Sequence, residues 1–272
     1  RDDPTVRSGS AGSAALARRQ AVLEFLEEKA IPVNVAWVYA ASGASSADLN
    51  RLAELGLIRL GETEIWRDPL ENLQPVLTQP SQFTDEQSAV WQFLAKQFTD
   101  PSSRKPNLLV GVTGSGKTEI YLRAAAEALA AGKGVIILVP EISLTPQTVK
   151  RFFARFPGKV GLVHSRLSPG ERYDTWRRIR AGLLPIVVGA RSALFSPLPD
   201  PGLIIIDEAH DPSYRQEDNQ PHYHAVNTAL SLSRLTGAGV LLGSATPDVE
   251  TIFRSEQERW NVIRMANRVL AY

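Results

Sequence analysis

The chain has 272 residues, 43% hydrophobic, 22% charged and 7% aromatic, enough apolar material for one large or two modest domains and too much for a disordered segment. It has no cysteine, which excludes disulfides, a thiol nucleophile and any Cys-ligated zinc or iron–sulfur site within these residues, and fits a reducing compartment. With 30 Lys+Arg against 29 Asp+Glu the net charge is only +1, so gross charge does not announce a nucleic-acid binder, and no apolar run approaches the ~20 residues that span a bilayer.

Residues 1–13 form a polar Ser/Gly stretch, read as a tail or linker, and Arg1 to Gly12 lack the apolar core of a signal peptide. The absence of an initiator Met leads us to expect a fragment of a longer protein. Leu16, Val22, Leu23, Phe25 and Leu26 recur at helical spacing between Ala14 and Lys29. A second apolar stretch after Pro32 reads as a helix with Pro in its first turn, against its β-branched content. Ser45 or Ser46 suits the N-cap of a third helix carrying Leu49, Leu52 and Leu55 and ended by Gly56. Leu57–Leu60 and Thr63–Arg67 read as two short strands around a Gly61-Glu62 turn. Three helices and a hairpin predict a winged-helix domain over 14–68, followed by a linker over 69–82.

From Phe83 onward, short unbroken apolar runs replace alternation: 107–110, 135–139, 159–163, 186–188, 203–206 and 240–242. Such runs belong to strands buried on both faces. They alternate with amphipathic segments at 119–131, 146–156 and 169–181, which predicts an α/β domain with a parallel sheet over 83–272.

The octet Gly111-Val112-Thr113-Gly114-Ser115-Gly116-Lys117-Thr118 matches the phosphate-binding pattern G-x-x-x-x-G-K-T. Its glycines let backbone N–H groups face phosphate oxygens, and the following helix points its positive end at the same anion. Lys117 suits the β- and γ-phosphates, and the Thr118 hydroxyl suits Mg²⁺. The run Leu203–Ile206 ends in Asp207 and Glu208, at the strand edge where parallel sheets bind ligands. Asp207 is placed to hold Mg²⁺, and Glu208 to orient or deprotonate an attacking water. A third segment, Gly243-Ser244-Ala245-Thr246-Pro247, follows another apolar run, and its hydroxyls suit a bond to His210 or to a phosphate-bound water. Alone it is a weak signal, since Ser and Thr at strand ends commonly cap the next helix.

Asp207-Glu208-Ala209-His210 with Ser244-Ala245-Thr246 resembles the DExH branch of superfamily 2 helicases. The longer segments 111–122 (GVTGSGKTEIYL), 138–147 (LVPEISLTPQ), 164–172 (HSRLSPGER), 186–197 (IVVGARSALFSP), 204–224 (IIIDEAHDPSYRQEDNQPHYH) and 243–248 (GSATPD) are similar to its replication-restart members. The resemblance covers about Phe83 to Ile252. It implies a RecA-like P-loop NTPase lobe that uses ATP and Mg²⁺. Gln87, within Phe83–Gln87, becomes the adenine-reading amide; without the resemblance it reads equally well as an exposed helix residue. Glu141–Thr145 and Gly189–Ala193 become loops facing DNA backbone, with Arg191 and Ser192 on phosphates. His210, Ser244 and Thr246 become the group coupling DNA to nucleotide. Asp211–His224 becomes an aromatic-rich loop, with Tyr214, Arg215 and Tyr223 stacking on single-stranded DNA. Read by residue type alone, the same stretch is a polar surface loop packing two tyrosines on the core.

The resemblance also implies what the whole protein does: recognise forked and single-stranded DNA, translocate 3′ to 5′ with ATP, and help reload the replicative helicase. It would work beside primosome and single-strand-binding proteins in the bacterial cytoplasm, at the nucleoid. A DNA-end-binding domain, a second motor lobe and a Cys-rich zinc region are expected outside these residues, so this chain alone should not unwind DNA. The third helix offers only Arg51 against Asp48 and Glu54, which favours a structural or junction-contacting role for the winged helix over sequence-specific reading. Two alternatives stay open: another superfamily 2 translocase, and a fork-binding scaffold using ATP as a conformational ligand.

Overall fold

A computed structural model describes residues 10–29, 33–61, 66–70, 78–99, 105–141, 146–218 and 220–269. The chain divides into two compact units, Arg1–Ile65 and Trp66–Tyr272.

The first unit holds helices α1 (Ser10–Lys29), α2 (Val35–Ser42) and α3 (Ser46–Glu54). Asn34 caps α2, so that helix starts past Pro32, and Gly43 closes it at φ 63°. Ser45 caps α3 in a reciprocal box with Asp48. Val22, Val38, Ala44, Leu49 and Leu52 form the buried centre. Asp48 is also buried, and Arg18 and Arg19 donate to its two oxygens at 3.0 and 3.1 Å. Burial alone would raise its pKa, but the Ser45 backbone and hydroxyl and the Arg18 guanidinium outweigh it and hold the carboxyl at about 2.

The expected hairpin is not seen among the described residues. Leu57–Leu60 forms no strand, and Leu57 and Leu60 are exposed. Of the second expected strand, residues 63–65 lie outside the described residues, while Trp66 and Arg67 belong to the second unit. There Arg67 N–H donates to Asp174 at 3.0 Å, Asp68 accepts from Arg178 at 2.8 Å, and Leu70 is buried in the core. The unit boundary thus falls at 65/66 rather than 68, and the stretch read as a linker begins docked on the second unit.

The second unit is built on one seven-stranded parallel sheet in the order β3-β4-β2-β5-β8-β1-β9. Its strands are β1 (Asn107–Gly111), β2 (Gly134–Leu138), β3 (Val160–Val163), β4 (Ile186–Gly189), β5 (Pro201–Ile206), β8 (Gly239–Ser244) and β9 (Asn261–Met265). Six of them are the unbroken apolar runs. Between β5 and β8 the two-residue strands β6 (Arg215–Gln216) and β7 (Tyr223–His224) pair antiparallel. Helices α4 (Asp85–Thr99), α5 (Lys117–Ala130), α6 (Pro146–Arg155), α7 (Pro169–Arg180), α8 (Ala225–Thr236) and α9 (Val249–Gln257) complete the unit. One apolar layer gathers Leu94, Ile120, Tyr121 and Phe152 with strand residues such as Leu109 and Ile137. The other gathers Ile179, Tyr214, Val226 and Leu230 with Leu108, Ile136 and Ile204. Alternate residues of one strand enter opposite layers, as strand geometry demands. No helix among the described residues is long and apolar enough to cross a membrane.

Candidate functional site

All seven long strands run the same way, so their carboxyl ends share one edge. The phosphate-loop octet leaves β1 at that edge and enters α5. Gly114 and Gly116 take φ 85° and 84°, a region in which a side chain strains the backbone. At Gly116 a Cβ would also fall 2.1 Å from the Gln87 amide nitrogen. Ser115 Oγ is buried without a hydrogen-bond partner among the described residues. Lys117 Nζ donates to Gly111 O at 2.7 Å and lies 3.8 Å from Glu208 Oε1.

The acidic pair follows β5. Asp207 N–H donates to Leu138 O at 2.9 Å, extending the sheet by one bond. Glu208 turns the chain at φ 45°, an uncommon conformation for a residue with a side chain and one found at functional sites. Ala209 N–H then donates to Gly243 O at 2.8 Å. Asp207 Oδ1 accepts from Tyr121 Oη at 2.9 Å, and Asp207 O accepts from Tyr214 Oη at 2.6 Å. Burial and the neighbouring Glu208 charge push the Asp207 pKa up, with the Tyr121 bond opposing them. Burial, then the Asp207 charge, drive both tyrosine pKa values well above the usual phenol range, so both remain donors. His210 Nδ1 lies 2.8 Å from Ser244 Oγ and 3.7 Å from Glu208 Oε2, and Thr246 N–H donates to Ser244 Oγ at 3.1 Å. The expected His210–Ser244 contact is therefore formed.

Thr113–Thr118, Asp207 and Glu208 line one cleft of about 610 Å³. Its other walls include Thr78, Gln79 and Ser81, Glu119 and Leu122 of α5 and, from α6, Arg151 and Arg155. Sequence reasoning did not assign the two arginines; nothing local distinguishes them from a solvated basic helix face. Arg155 donates twice to Glu119 at 2.9 and 2.8 Å, and its Nε is buried without a partner among the described residues.

Three expected site residues stand differently. Gln87 is 4% exposed, its oxygen accepting from Thr84 N–H at 2.9 Å and its nitrogen donating to Ser115 O at 3.4 Å. In this arrangement it braces the phosphate loop and presents no free amide to a base. Tyr214 is 0% exposed, so its ring offers no face to DNA; it is the buried anchor of its loop. The Arg191 guanidinium donates to Ser213 O at 2.8 Å, Arg215 O at 3.0 Å and Gln216 Oε1 at 3.2 Å. It fastens that loop to the end of β4, which takes its donors away from a phosphate.

The other residues expected on the DNA strand keep open positions. Ser192 and Arg215 are exposed, with Arg215 3.4 Å from Glu250. Tyr223 is half-buried, edge-on to the exposed Phe195 at 5.1 Å. Within the expected loop 141–145, Glu141 accepts from Ser165 Oγ, and residues 142–145 lie outside the described residues. A second hollow, of about 540 Å³, lies beside these groups and is lined by Glu141, Ser165, Arg172, Trp176, Arg191, Ser192 and Phe195 among others.

Residues 84–254 match the DEAD/DEAH box helicase family. The chain is 43% identical over 255 residues to the replication restart protein PriA of Bacillus subtilis, covering 93% of this chain and 31% of that protein. It is 40% identical over 255 residues to the protein of the same name from Chlamydia pneumoniae, covering 92% of this chain and 33% of that one. The chain thus spans about a third of the length of these relatives. Among solved structures, RecG bound to a three-way DNA junction superposes with a TM-score of 0.50 at 18% identity, covering 95% of this chain and 30% of RecG, a likeness of fold.

Proposed function

Because the chain belongs to the DEAD/DEAH box helicase family, we propose that it carries the ATP-hydrolysing lobe of a DNA helicase acting in replication restart. One observation supports this above the rest: the phosphate loop, the Asp207–Glu208 pair and the His210–Ser244 pair meet at one sheet edge, the first two in a single cleft. The cleft suits a nucleoside triphosphate with its Mg²⁺. Two left-handed glycines and an orphaned Ser115 hydroxyl make a polar cradle, and two carboxylates stand opposite a lysine.

In this reading the backbone of Gly111, Thr113, Gly114, Ser115 and Gly116 holds phosphate oxygens. Lys117 exchanges its Gly111 carbonyl for the β- and γ-phosphates. Thr118 and Asp207 hold Mg²⁺, which when bound neutralises charge developing on the phosphates. Glu208 orients the attacking water and takes its proton. His210, bonded to Ser244, stands 3.7 Å from the Glu208 carboxylate and is placed to steer it without holding it. Gln87 reaches the adenine only by turning its amide outward. Ser192, Arg215 and Tyr223 remain the exposed candidates for the DNA strand.

The wider role rests on the relatives' name. The full-length protein would recognise forks, translocate 3′ to 5′, and reload the replicative helicase with primosome and single-strand-binding proteins in the bacterial cytoplasm. The three helices of the first unit would be the core of a winged-helix domain, and zinc would belong to a Cys-rich region absent from these residues. The test is ATP turnover by the full-length protein with and without forked DNA, paired with Glu208→Gln. We expect DNA-stimulated hydrolysis that falls about 100-fold or more in Glu208→Gln while nucleotide binding persists. Hydrolysis indifferent to Glu208→Gln overturns the assignment, and hydrolysis indifferent to DNA overturns the motor.

A further inference from the structure

We propose that Tyr121 and Gly243 form a matched pair that sets the orientation of the Asp207 carboxylate toward Mg²⁺, Tyr121 acting as a positioning residue and Gly243 as the space it needs. The inference rests on Asp207 being a metal-holding group. Tyr121 follows Lys117 by four residues, so it sits one turn farther along the same face of α5. Its ring is buried in the layer beneath the cleft, where a hydroxyl without an acceptor is costly. That hydroxyl donates to Asp207 Oδ1 at 2.9 Å. The helix that ends the phosphate loop and the strand end that bears the acidic pair are thereby tied through one bond.

Gly243 makes the bond possible. A Cβ there would fall 1.6 Å from Tyr121 Oη, 2.8 Å from Cζ and 3.4 Å from Asp207 Oδ1. No side chain fits while the hydroxyl keeps its place. The residue lies inside β8 without a positive φ, so its backbone does not demand glycine. Glycine in a strand interior weakens the strand, and close approach by another group is the recognised reason to keep it. Here that group is the phenol. Gly243 O also accepts from Ala209 N–H at 2.8 Å, so the same residue steadies the turn beyond Glu208.

The test uses the full-length protein and a non-hydrolysable ATP analogue, with binding measured by calorimetry across a Mg²⁺ titration. Tyr121→Phe keeps the ring and removes the hydroxyl. It should raise the Mg²⁺ concentration for half-saturation about tenfold, the order of one hydrogen bond to a charged acceptor, and leave metal-free nucleotide affinity unchanged. Gly243→Ala, if it folds, should do the same by displacing the hydroxyl. The double variant should show much less than the product of the two effects, because both remove one interaction. Asp207→Asn is the reference. If Asp207→Asn shifts the Mg²⁺ requirement and Tyr121→Phe only lowers thermal stability, the phenol is structural and the inference fails. If Asp207→Asn also leaves it unchanged, Asp207 does not serve the metal and the inference falls with that reading.

Discussion

Tyr214→Phe separates anchoring from stacking. The ring is fully buried, and its hydroxyl donates to Asp207 O at 2.6 Å. Phenylalanine fills the same volume, so the change removes one hydrogen bond and leaves a carbonyl at the head of the acidic turn without its donor. That costs about 1–2 kcal/mol. In a lobe of roughly 200 residues each kcal/mol moves the midpoint by about 2–4 °C, so the Tm should drop by roughly 2–8 °C. Alanine would add about 3–5 kcal/mol for the lost ring, a large share of a stability of about 5–15 kcal/mol, and would report unfolding instead of function. The assays are thermal unfolding by circular dichroism and single-stranded DNA binding by anisotropy. A lower Tm with unchanged DNA affinity fits an anchor. Weakened DNA affinity at unchanged Tm would mean that the ring swings out to stack, and would refute the reasoning.

Lys117→Ala should reduce ATP turnover of the full-length protein about 100-fold or more while the circular dichroism spectrum and fork binding hold, if its cation serves the phosphates as proposed. Arg191→Ala removes three hydrogen bonds to residues 213–216, and amide exchange there should rise at least about tenfold, read by mass spectrometry. Asp48, with its pKa depressed from 3.8 to about 2, contributes stability that is full above the unfolded pKa and is lost as pH falls through the folded value. The first unit should therefore lose up to about 2 kcal/mol between roughly pH 4 and pH 2, and Asp48→Asn should abolish that acid transition in helical ellipticity.

The sheet was legible because strands buried on both faces carry a signal that needs no partner: Ile186–Val188 and Leu203–Ile206 are apolar at every position. β9 was missed because it is an edge strand, in which Val262 and Arg264 face out and only Met265 is buried. The strand expected at Leu57–Leu60 shows the opposite error. Leu57, Ile58 and Leu60 look like a strand, but an apolar run specifies a strand only where something covers it, and Leu57 and Leu60 are exposed. At the site, the phosphate loop and the acidic pair were legible because phosphate and metal chemistry fix residue types at fixed spacing. The tyrosines were not. Tyr121 and Tyr214 read as a helix residue and a loop aromatic, and their common target emerges only when α5 and the turn after β5 are folded against each other. Arg191 misled for a related reason: an arginine in a loop expected to face DNA looks the same in sequence whether its donors go to phosphate or to backbone carbonyls.

The two tyrosines also limit how a rearrangement of the loop after β5 could reach the proposed nucleotide cleft. Asp207 is held three times over: N–H on Leu138, side chain on Tyr121, carbonyl on Tyr214. A loop movement that breaks the Tyr214 bond leaves the other two intact, so the Asp207 carboxylate stays where α5 and β2 fix it. Glu208 is held differently. Its backbone lies at φ 45°, a conformation that surrounding structure must enforce, and Asp211 N–H donates to its carbonyl at 2.8 Å. Its carboxylate meets Lys117 and His210 only at 3.8 and 3.7 Å, longer than hydrogen bonds. The strained, loosely held residue is the one proposed to handle water, and it is joined to the loop through a single turn. On the proposed roles, a ligand that rearranges residues 211–216 should act first on Glu208 and on the rate of hydrolysis, while metal and nucleotide affinity, assigned to Asp207 and the phosphate loop, should change little.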